Sequence, residues 1–236
     1  DQISINNGSV YAGDGDDVIV NGSGLVDAGA GNDIIRGVTG GFVDGGSGND
    51  ELVADLSGHQ SQVYGWDGRN LTYWHLNESG NRINHIGAGS SWADVESYLA
   101  MGGINYLGSQ FGEQLLGYTN IEKVSLIGLN RNPWGYGDDL LIAVGQGKYA
   151  GGDGTDTLYA DWSNNTVSAT FDSSLSDEQV VNGVTVSGIE RLLVKLGSGN
   201  DVLSVQTGGS HEIWSGAGND QISINNGSVY AGDGDD

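Results

Sequence analysis

The sequence predicts an all-β protein built as a parallel β-roll or β-helix solenoid of short coils. Three observations lead to this fold class. A Gly-rich motif ending in Asp recurs eight times along the 236 residues. Apolar residues alternate with polar ones on both sides of each copy, and consecutive copies are mostly 16 or 17 residues apart. That length is enough for two short strands and two turns.

The repeated motif is followed most easily by its last aspartate. Gly lies four and two residues before this Asp in all eight copies, and Ile or Leu lies two residues after it in the seven complete copies. Each copy therefore predicts one loop of a regularly repeating structure. The final aspartates are Asp17, Asp33, Asp50, Asp139, Asp156, Asp201, Asp220 and Asp236.

Each loop is predicted to join two short β-strands, because side chains that alternate between apolar and polar are typical of a half-buried strand. Seven of the eight copies also have an apolar residue seven positions before the final Asp, and the exception is Asn132. These residues are expected in the core. They are Val10, Val26, Val43, Tyr149, Val194, Ile213 and Val229.

Shorter turns without acidic residues lie between the loops, such as NNGS at 6–9, NGSG at 21–24 and VTGG at 38–41. Each coil therefore has one acidic loop and one bare turn. Stacked coils of this kind predict that the acidic loops line one edge of the solenoid and the bare turns line the other.

Two intervals are much longer than a coil, 89 residues from Asp50 to Asp139 and 45 residues from Asp156 to Asp201. Both begin alike (GGSGNDELVADLSG, GGDGTDTLYADWSN) and end alike (TNIEKVSLIG, SGIERLLVKL). We therefore expect one continuous solenoid over 1–236, with an aromatic-rich insertion at 57–120 and a smaller one at 163–187. Both should fold back as hairpins or a small subdomain against its flank.

The larger insertion holds most of the aromatic residues. Its stretch QVYGWDGRNLTYWHL (62–76) predicts a hairpin about Asp67-Gly68, and SSWADVESYLAM (90–101) predicts a short helix with a Ser-x-x-Asp cap. The rings can form a sugar-binding face, but the favoured interpretation is that they form the core of the insertion. They are Tyr64, Trp66, Tyr73, Trp74, Trp92, Tyr98, Tyr106, Phe111 and Tyr118.

Charge restricts the possible partners. The chain has 31 acidic and 8 basic residues, no Cys and a formal net charge of -23, which disfavours binding to nucleic acid and to anionic lipid. The sequence contains no run of 18 apolar residues, so it does not predict insertion into a membrane. Hard divalent cations with oxygen ligands are the natural partners of such a chain, and calcium is the leading candidate.

Stacked loops would place carboxylates and backbone carbonyls of neighbouring coils on either side of a gap of about 4.8 Å. Calcium takes six to eight oxygen ligands in flexible geometry, whereas magnesium needs a tighter octahedron. About seven ions would change the formal charge to roughly -9. The predicted ligands are the eight final aspartates; Asp16, Asn32, Asn49, Asp138, Asn200, Asn219 and Asp235 before them; Asp14 and Asp153; and Gly13, Gly15, Gly29, Gly31, Gly46, Gly48, Gly135, Gly137, Gly152, Gly154, Gly197, Gly199, Gly216 and Gly218.

A plain turn, an EF-hand and a phosphate-binding loop each fit these loops less well than a stacked metal site. A single Gly-x-Gly-x-Asp is most simply a turn, but eight copies in register favour a metal site. An EF-hand starting at Asp14 would have Leu25 where the bidentate Glu belongs. A phosphate-binding loop is excluded because Gly147-Lys148 is followed by Tyr149 instead of Ser or Thr.

The copies resemble the GGxGxDxUx repeat of the RTX, or haemolysin-type calcium-binding, family over roughly 1–56, 134–162 and 188–236. The resemblance implies a parallel β-roll, type I secretion and folding in the calcium of the exterior. It also implies that the second, fourth and sixth loop positions (Gly13, Gly15, Asp17) face the first, third and fifth of the next coil (Ala28, Ala30, Asn32). RTX rolls usually repeat every nine residues and bind calcium along both edges, whereas these coils are longer.

Catalysis is not expected. The four histidines, His59, His75, His85 and His211, have no metal-ligand spacing, and no nucleophile-base pair stands apart from the loop acids. The recurring pairs Glu122-Lys123 and Glu190-Arg191 favour a structural role.

Residues 1–17 are identical to residues 220–236, 219 positions later, which suggests a parent protein made of tandem units stacked end to end. The first hypothesis is a calcium-rigidified structural repeat of a long extracellular or cell-surface protein, of adhesin or surface-layer type. A second is a module that binds a glycan or a cell-surface partner through the aromatic insertion. A third is the accessory calcium-binding region of a secreted hydrolase, lyase or toxin.

Overall fold

The structure is a computed structural model that describes residues 1–57, 71–76, 82–101, 105–109, 114–128 and 137–236. It is mostly β, with 49% strand and 5% helix, and the sheets are mostly parallel. The predicted all-β class is confirmed. None of the helices in the described ranges is long and apolar enough to cross a membrane.

The strands up to residue 127 carry the first three loops and the larger insertion. They are β1 (Gln2–Asn7), β2 (Val10–Tyr11), β3 (Val18–Asp27), β4 (Ile34–Arg36), β5 (Gly41–Asp44), β6 (Glu51–Asp55), β7 (Leu71–Leu76), β8 (Arg82–Ile86), β9 (Asn105–Ser109), β10 (Gln114–Thr119) and β11 (Lys123–Ile127).

The later strands carry the remaining loops and the smaller insertion. They are β12 (Leu140–Ile142), β13 (Lys148–Ala150), β14 (Thr157–Asp161), β15 (Thr170–Asp172), β16 (Gln179–Val181), β17 (Val184–Ser187), β18 (Arg191–Lys195), β19 (Val202–Val205), β20 (His211–Trp214), β21 (Gln221–Ile224) and β22 (Gly227–Tyr230).

These strands form three sheets in the described part of the chain. A 14-stranded sheet has the order β16-β17-β13-β11-β6-β4-β3-β5-β10-β9-β7-β8, with β1 and β2 also paired to β3. A five-stranded sheet has the order β12-β14-β18-β20-β22, and a three-stranded sheet the order β15-β19-β21. The long strand β3 bends from one half of the large sheet into the other, because its start pairs with β4 and its end with β5.

Parallel pairing places equivalent residues of consecutive repeats side by side. Ile3 pairs with Ile19, and Val26 pairs with Val43, which are separations of one loop spacing. The apolar residues two positions after the final Asp lie in the core, where Ile19, Ile35 and Leu52 are fully buried. The alternating pattern of the sequence is therefore the alternation between core and surface.

The acidic loops do not all lie on one edge of the large sheet. The loops ending at Asp17, Asp33 and Asp50 lead into the N-terminal ends of β3, β4 and β6. The loop ending at Asp156 follows the C-terminal end of β13, and β6, β11 and β13 are consecutive parallel strands. The prediction of a single acidic edge is therefore wrong.

The change of edge occurs at β11. This strand pairs with β6 through Lys123 and Glu51, so it occupies the place of a strand that follows an acidic loop. Its far end pairs with the strand before the next loop, because Ile127 lies beside Ala150. Gly128 follows this strand, and a Cβ on it would overlap Asp139 Oδ2, so it lies beside an acidic loop residue at the position where a bare turn was expected.

A second change of edge occurs at β18 in the five-stranded sheet. Strands β12, β14 and β18 follow Asp139, Asp156 and Glu190, whereas the loops ending at Asp201 and Asp220 follow β18 and β20. The loops thus fall into three rows. The final aspartates are Asp17, Asp33 and Asp50 in the first row, Asp139 and Asp156 in the second, and Asp201, Asp220 and Asp236 in the third.

The larger insertion contributes to the sheets as well as covering them. Its strands β9 and β7 continue the large sheet beyond β10. Its helix α1 (Trp92–Ala100) begins with a capping box between Ser91 and Asp94, as predicted. Trp92 stacks on Tyr159 of the five-stranded sheet with ring centroids 4.3 Å apart. The hairpin predicted about Asp67-Gly68 lies outside the described residues.

A tightly packed loop glycine gives a test of the stacking. Gly48 has a φ of 145°, and a Cβ added to it would overlap the carbonyl oxygen of Gly31 in the coil below. We expect Gly48→Ala to lower the unfolding free energy by at least about 2 kcal/mol, because backbone strain and overpacking add. Urea unfolding in calcium-containing buffer measures this loss.

The matched control is Gly89→Ala, because a Cβ at Gly89 meets no atom within 4 Å. Its unfolding midpoint should stay within experimental error of the parent chain. Equal midpoints for the two alanine variants would contradict the close approach of the loops.

Candidate metal centre

The acidic loops of one row contact each other through backbone hydrogen bonds. The amide of Ala30 donates to the carbonyl of Gly13 at 2.8 Å, and the amide of Ser47 donates to the carbonyl of Gly29 at 2.8 Å. The loops therefore stack directly, one repeat above the next. Gly29 and Gly46 have no room for a Cβ, because it would overlap the carbonyl oxygens of Gly13 and Gly29, respectively.

A second set of hydrogen bonds links the final aspartates, and we call it the carboxylate ladder. In five pairs of consecutive repeats, the amide of one final Asp donates to the Oδ1 atom of the next final Asp. The donor-acceptor pairs are Asp17 to Asp33 (2.8 Å), Asp33 to Asp50 (2.8 Å), Asp139 to Asp156 (2.7 Å), Asp201 to Asp220 (2.8 Å) and Asp220 to Asp236 (2.9 Å).

The second carboxylate oxygen of most of these residues is buried without a hydrogen-bond partner. The final aspartates other than the exposed Asp236 are at most 4% exposed, so these oxygens are shielded from bulk water. Burying an ionised carboxylate is costly unless a cation or hydrogen bonds compensate. The unpartnered atoms are Oδ2 of Asp17, Asp33, Asp50, Asp156, Asp201 and Asp220.

Burial and neighbouring charges in the ladder disfavour the ionised form of its aspartates. Burial raises the pKa of Asp33, Asp50 and Asp201, and nearby carboxylates add to the effect. Burial raises the pKa of Asp156 to about 8, with a further contribution from Glu190. A cation beside these carboxylates would oppose both causes.

The residues just before the final aspartates form a more exposed ladder that runs in the opposite direction. The amide of Asn32 donates to Asp16 Oδ1 at 2.7 Å, and the amide of Asn49 donates to Asn32 Oδ1 at 3.0 Å. Equivalent bonds join Thr155 to Asp138, Asn219 to Asn200 and Asp235 to Asn219. Asp14 and Asp153 are exposed on the loops.

The structure therefore distributes the predicted ligands over three rows instead of one. Gly135 lies outside the described residues. In the described ranges, no group of three or more His, Cys, Asp or Glu side chains is close enough to hold a metal by side chains alone. A cation in these loops would need backbone carbonyls as well, and calcium accepts such ligands.

Two carboxylates at the ends of rows were not among the predicted ligands. The amide of Asp50 donates to Glu122 Oε2, and the amide of Asp156 donates to Glu190 Oε2, both at 2.9 Å. These glutamates occupy the place of a final Asp in coils that lack the Gly-rich loop. The sequence signal that could have identified these glutamates is their recurrence at the ends of both insertions.

The described histidines have structural contacts. His75 Nε2 lies 2.9 Å from the carbonyl oxygen of Tyr98, and both rings stack. His211 accepts a hydrogen bond from the amide of Leu192 on Nδ1, and its Nε2 lies 3.0 Å from Asn225 Oδ1. Burial lowers the pKa of His211.

Most described aromatic rings of the larger insertion are also packing residues, since Tyr73, Trp74, Trp92 and Tyr98 are all buried. Tyr64, Trp66 and Phe111 lie outside the described residues, so a sugar-binding face there stays a prediction.

Comparison with protein-family models gives no match, and comparison with curated proteins gives no significant match.

Proposed function

We propose that this chain is a calcium-binding, calcium-folded structural repeat of a long secreted or cell-surface protein of RTX type, and that its sheets form a parallel β-solenoid. The observation that carries the proposal is the carboxylate ladder, whose inner oxygens are buried without partners in all three rows. The solenoid is supported by the register of the parallel strands, which advances by one loop spacing per coil.

The N-terminal ammonium of Asp1 lies 2.6 Å from Asp17 Oδ1, but the described lysines and the buried Arg191 have partners other than the ladder carboxylates. Lys123 pairs with Glu51 at 2.7 Å, and Lys195 pairs with Glu96 at 2.9 Å, and neither glutamate belongs to the ladder. Lys148 pairs with Glu178 at the surface. The buried Arg191 donates to backbone carbonyls, including that of Ser90 at 2.8 Å. A cation from solution is therefore the simplest compensation.

The donor chemistry favours calcium among the common divalent cations. The loops offer carboxylate, amide and backbone oxygens and no thiolate, and such hard ligands disfavour zinc and copper. Bound calcium would supply positive charge between neighbouring coils. The chain's own residues position the ligands, because the ladder holds its carboxylates in one orientation and the loop glycines allow the backbones to meet.

Calcium should therefore control folding. We expect strong β-type circular dichroism in calcium, and loss of that signal in excess chelator, because metal binding and folding are coupled in such loops. An unchanged spectrum and melting temperature after chelation would refute the proposed function. Asp33→Asn sharpens the test, because Asn keeps an oxygen acceptor for the amide of Asp17 but loses the charge.

At calcium concentrations 100 times the dissociation constant, each ion lost by Asp33→Asn should remove about 2.7 kcal/mol of calcium-dependent stabilisation. The matched control is Asp177→Asn, which makes the same change of charge on an exposed residue. It should leave the calcium dependence of the melting temperature unchanged.

The duplicated sequence supports a structural role over a binding module or an accessory region of an enzyme. The segment 220–236 repeats 1–17 without a difference, and equivalent segments of neighbouring coils pair in register. In a solenoid with two faces, two changes of edge return the third row to the edge of the first. Repeated units could then continue one row from one unit into the next. An accessory region of an enzyme has no such need for long identical units.

A protein made of two consecutive 219-residue units tests this arrangement. Small-angle X-ray scattering in calcium should give a maximum dimension greater by at least roughly 34 Å than that of one unit, from seven coils of about 4.8 Å. The cross-sectional radius of gyration should stay the same. A wider cross-section, or the profile of two flexibly linked bodies, would contradict end-to-end stacking.

A further inference from the structure

The first and second rows end in the same construction. After Asp50 the next coil enters through Asn120, Ile121 and Glu122, and after Asp156 it enters through Gly188, Ile189 and Glu190. Asn120 and Gly188 both have a positive φ, 50° and 58°. A left-handed residue two positions before Glu thus replaces the Gly-rich loop at each row end.

Backbone contacts fix both glutamates on the last aspartate of their row. The carbonyl of Asp50 accepts hydrogen bonds from the amides of Glu122 (3.2 Å) and Lys123 (3.0 Å). The carbonyl of Asp156 accepts them from the amides of Glu190 (3.0 Å) and Arg191 (2.9 Å). Each glutamate side chain then reaches back to accept from the amide of the same aspartate.

Additional oxygens face the same space at both row ends. A Cβ added to Gly45 would overlap the carbonyl oxygen of Asn120 and lie 2.7 Å from Asp50 Oδ2. A Cβ added to Gly151 would overlap both the carbonyl oxygen of Gly188 and Asp156 Oδ2.

The aspartate oxygens at these row ends, Asp50 Oδ2 and Asp156 Oδ2, have no hydrogen-bond partner. Both residues are at most 1% exposed. A carbonyl and an unpartnered buried carboxylate oxygen beside a glycine form a cradle suited to a hard cation.

We propose that each row end binds one divalent cation of the calcium class, through Asp50, Glu122 and the Asn120 carbonyl at one end, and through Asp156, Glu190 and the Gly188 carbonyl at the other. This inference rests on the proposed calcium function and extends it to residues outside the repeated motif. Glu122 and Glu190 are then ligands that close a row, in addition to accepting a hydrogen bond.

The number of gaps gives this inference a measurable consequence. The first row has two gaps between successive loops, the second row has one, and the third row has two. With one ion in each gap, these five gaps would hold five ions, fewer than the seven expected from a single row. The two row ends add one gap each.

The test counts bound calcium per chain in Glu122→Gln, Glu190→Gln and the double variant, by equilibrium dialysis and elemental analysis at calcium levels that saturate the parent chain. Glutamine keeps an oxygen acceptor for the aspartate amide, so circular dichroism should report a folded protein. Each single variant should lose one ion, and the double variant two. The control Glu178→Gln, on an exposed residue, should lose none.

The outcomes separate this inference from the function on which it rests. Folded variants that keep the parent number of ions would overturn the row-end sites and leave calcium folding intact. A parent chain that binds no calcium would overturn both. If a glutamine variant fails to fold, Glu122→Asp and Glu190→Asp decide, since withdrawing the carboxylate by one methylene should weaken binding of one ion at least tenfold; unchanged affinity overturns the sites.

Discussion

The architecture depends on the hydrogen bond from the amide of one final aspartate to the carboxylate of the next coil. This bond sets the register at one repeat per coil, since Asp17 can reach Asp33 only when Val18 lies beside Ile34. Six of these carboxylates also have their second oxygen buried without a hydrogen-bond partner. The ordered loops thus carry a row of buried negative charge, which the proposed cations would compensate.

The changes of edge limit the electrostatic cost of that arrangement. Strand β11 has five residues, which corresponds to roughly 16 Å between its ends, about twice the Debye length at physiological salt. Moving the acidic loops from one end of the strands to the other therefore separates the first row from the second. A single row of eight loops would instead stack the charge of all eight final aspartates along one line. The insertions are thus placed where the charge has to be divided.

Much of the fold follows from the sequence, because alternation and spacing are local properties. The burial of Ile19 and Val26, the one-repeat register and the capped helix at Ser91 all follow from patterns within a few residues. The changes of edge do not, because β11 has the same apolar pattern whether a bare turn or an acidic loop follows it. In the sequence, Gly128 also lies too far before Asp139 to belong to the Gly-x-Gly-x-Asp motif that ends there. Glu122 and Glu190 were not among the predicted ligands because the motif was recognised by its two glycines and its final Asp. The first row end has neither glycine, and the second has only Gly188.

The number of edge changes is itself constrained if units stack in tandem. The segment 220–236 must meet its successor as residues 1–17 meet residues 18–33, with Gln2 beside Val18 and Asp17 bonded to Asp33. One change of edge would leave the last row of a unit opposite the first row of the next, and the ladder would break at every junction. Two changes restore the phase. In such an array the second insertion, with its own Glu190 and Arg191, would be the counterpart of the first. This would account for the similar sequences TNIEKVSLIG and SGIERLLVKL at the ends of two insertions of such different length.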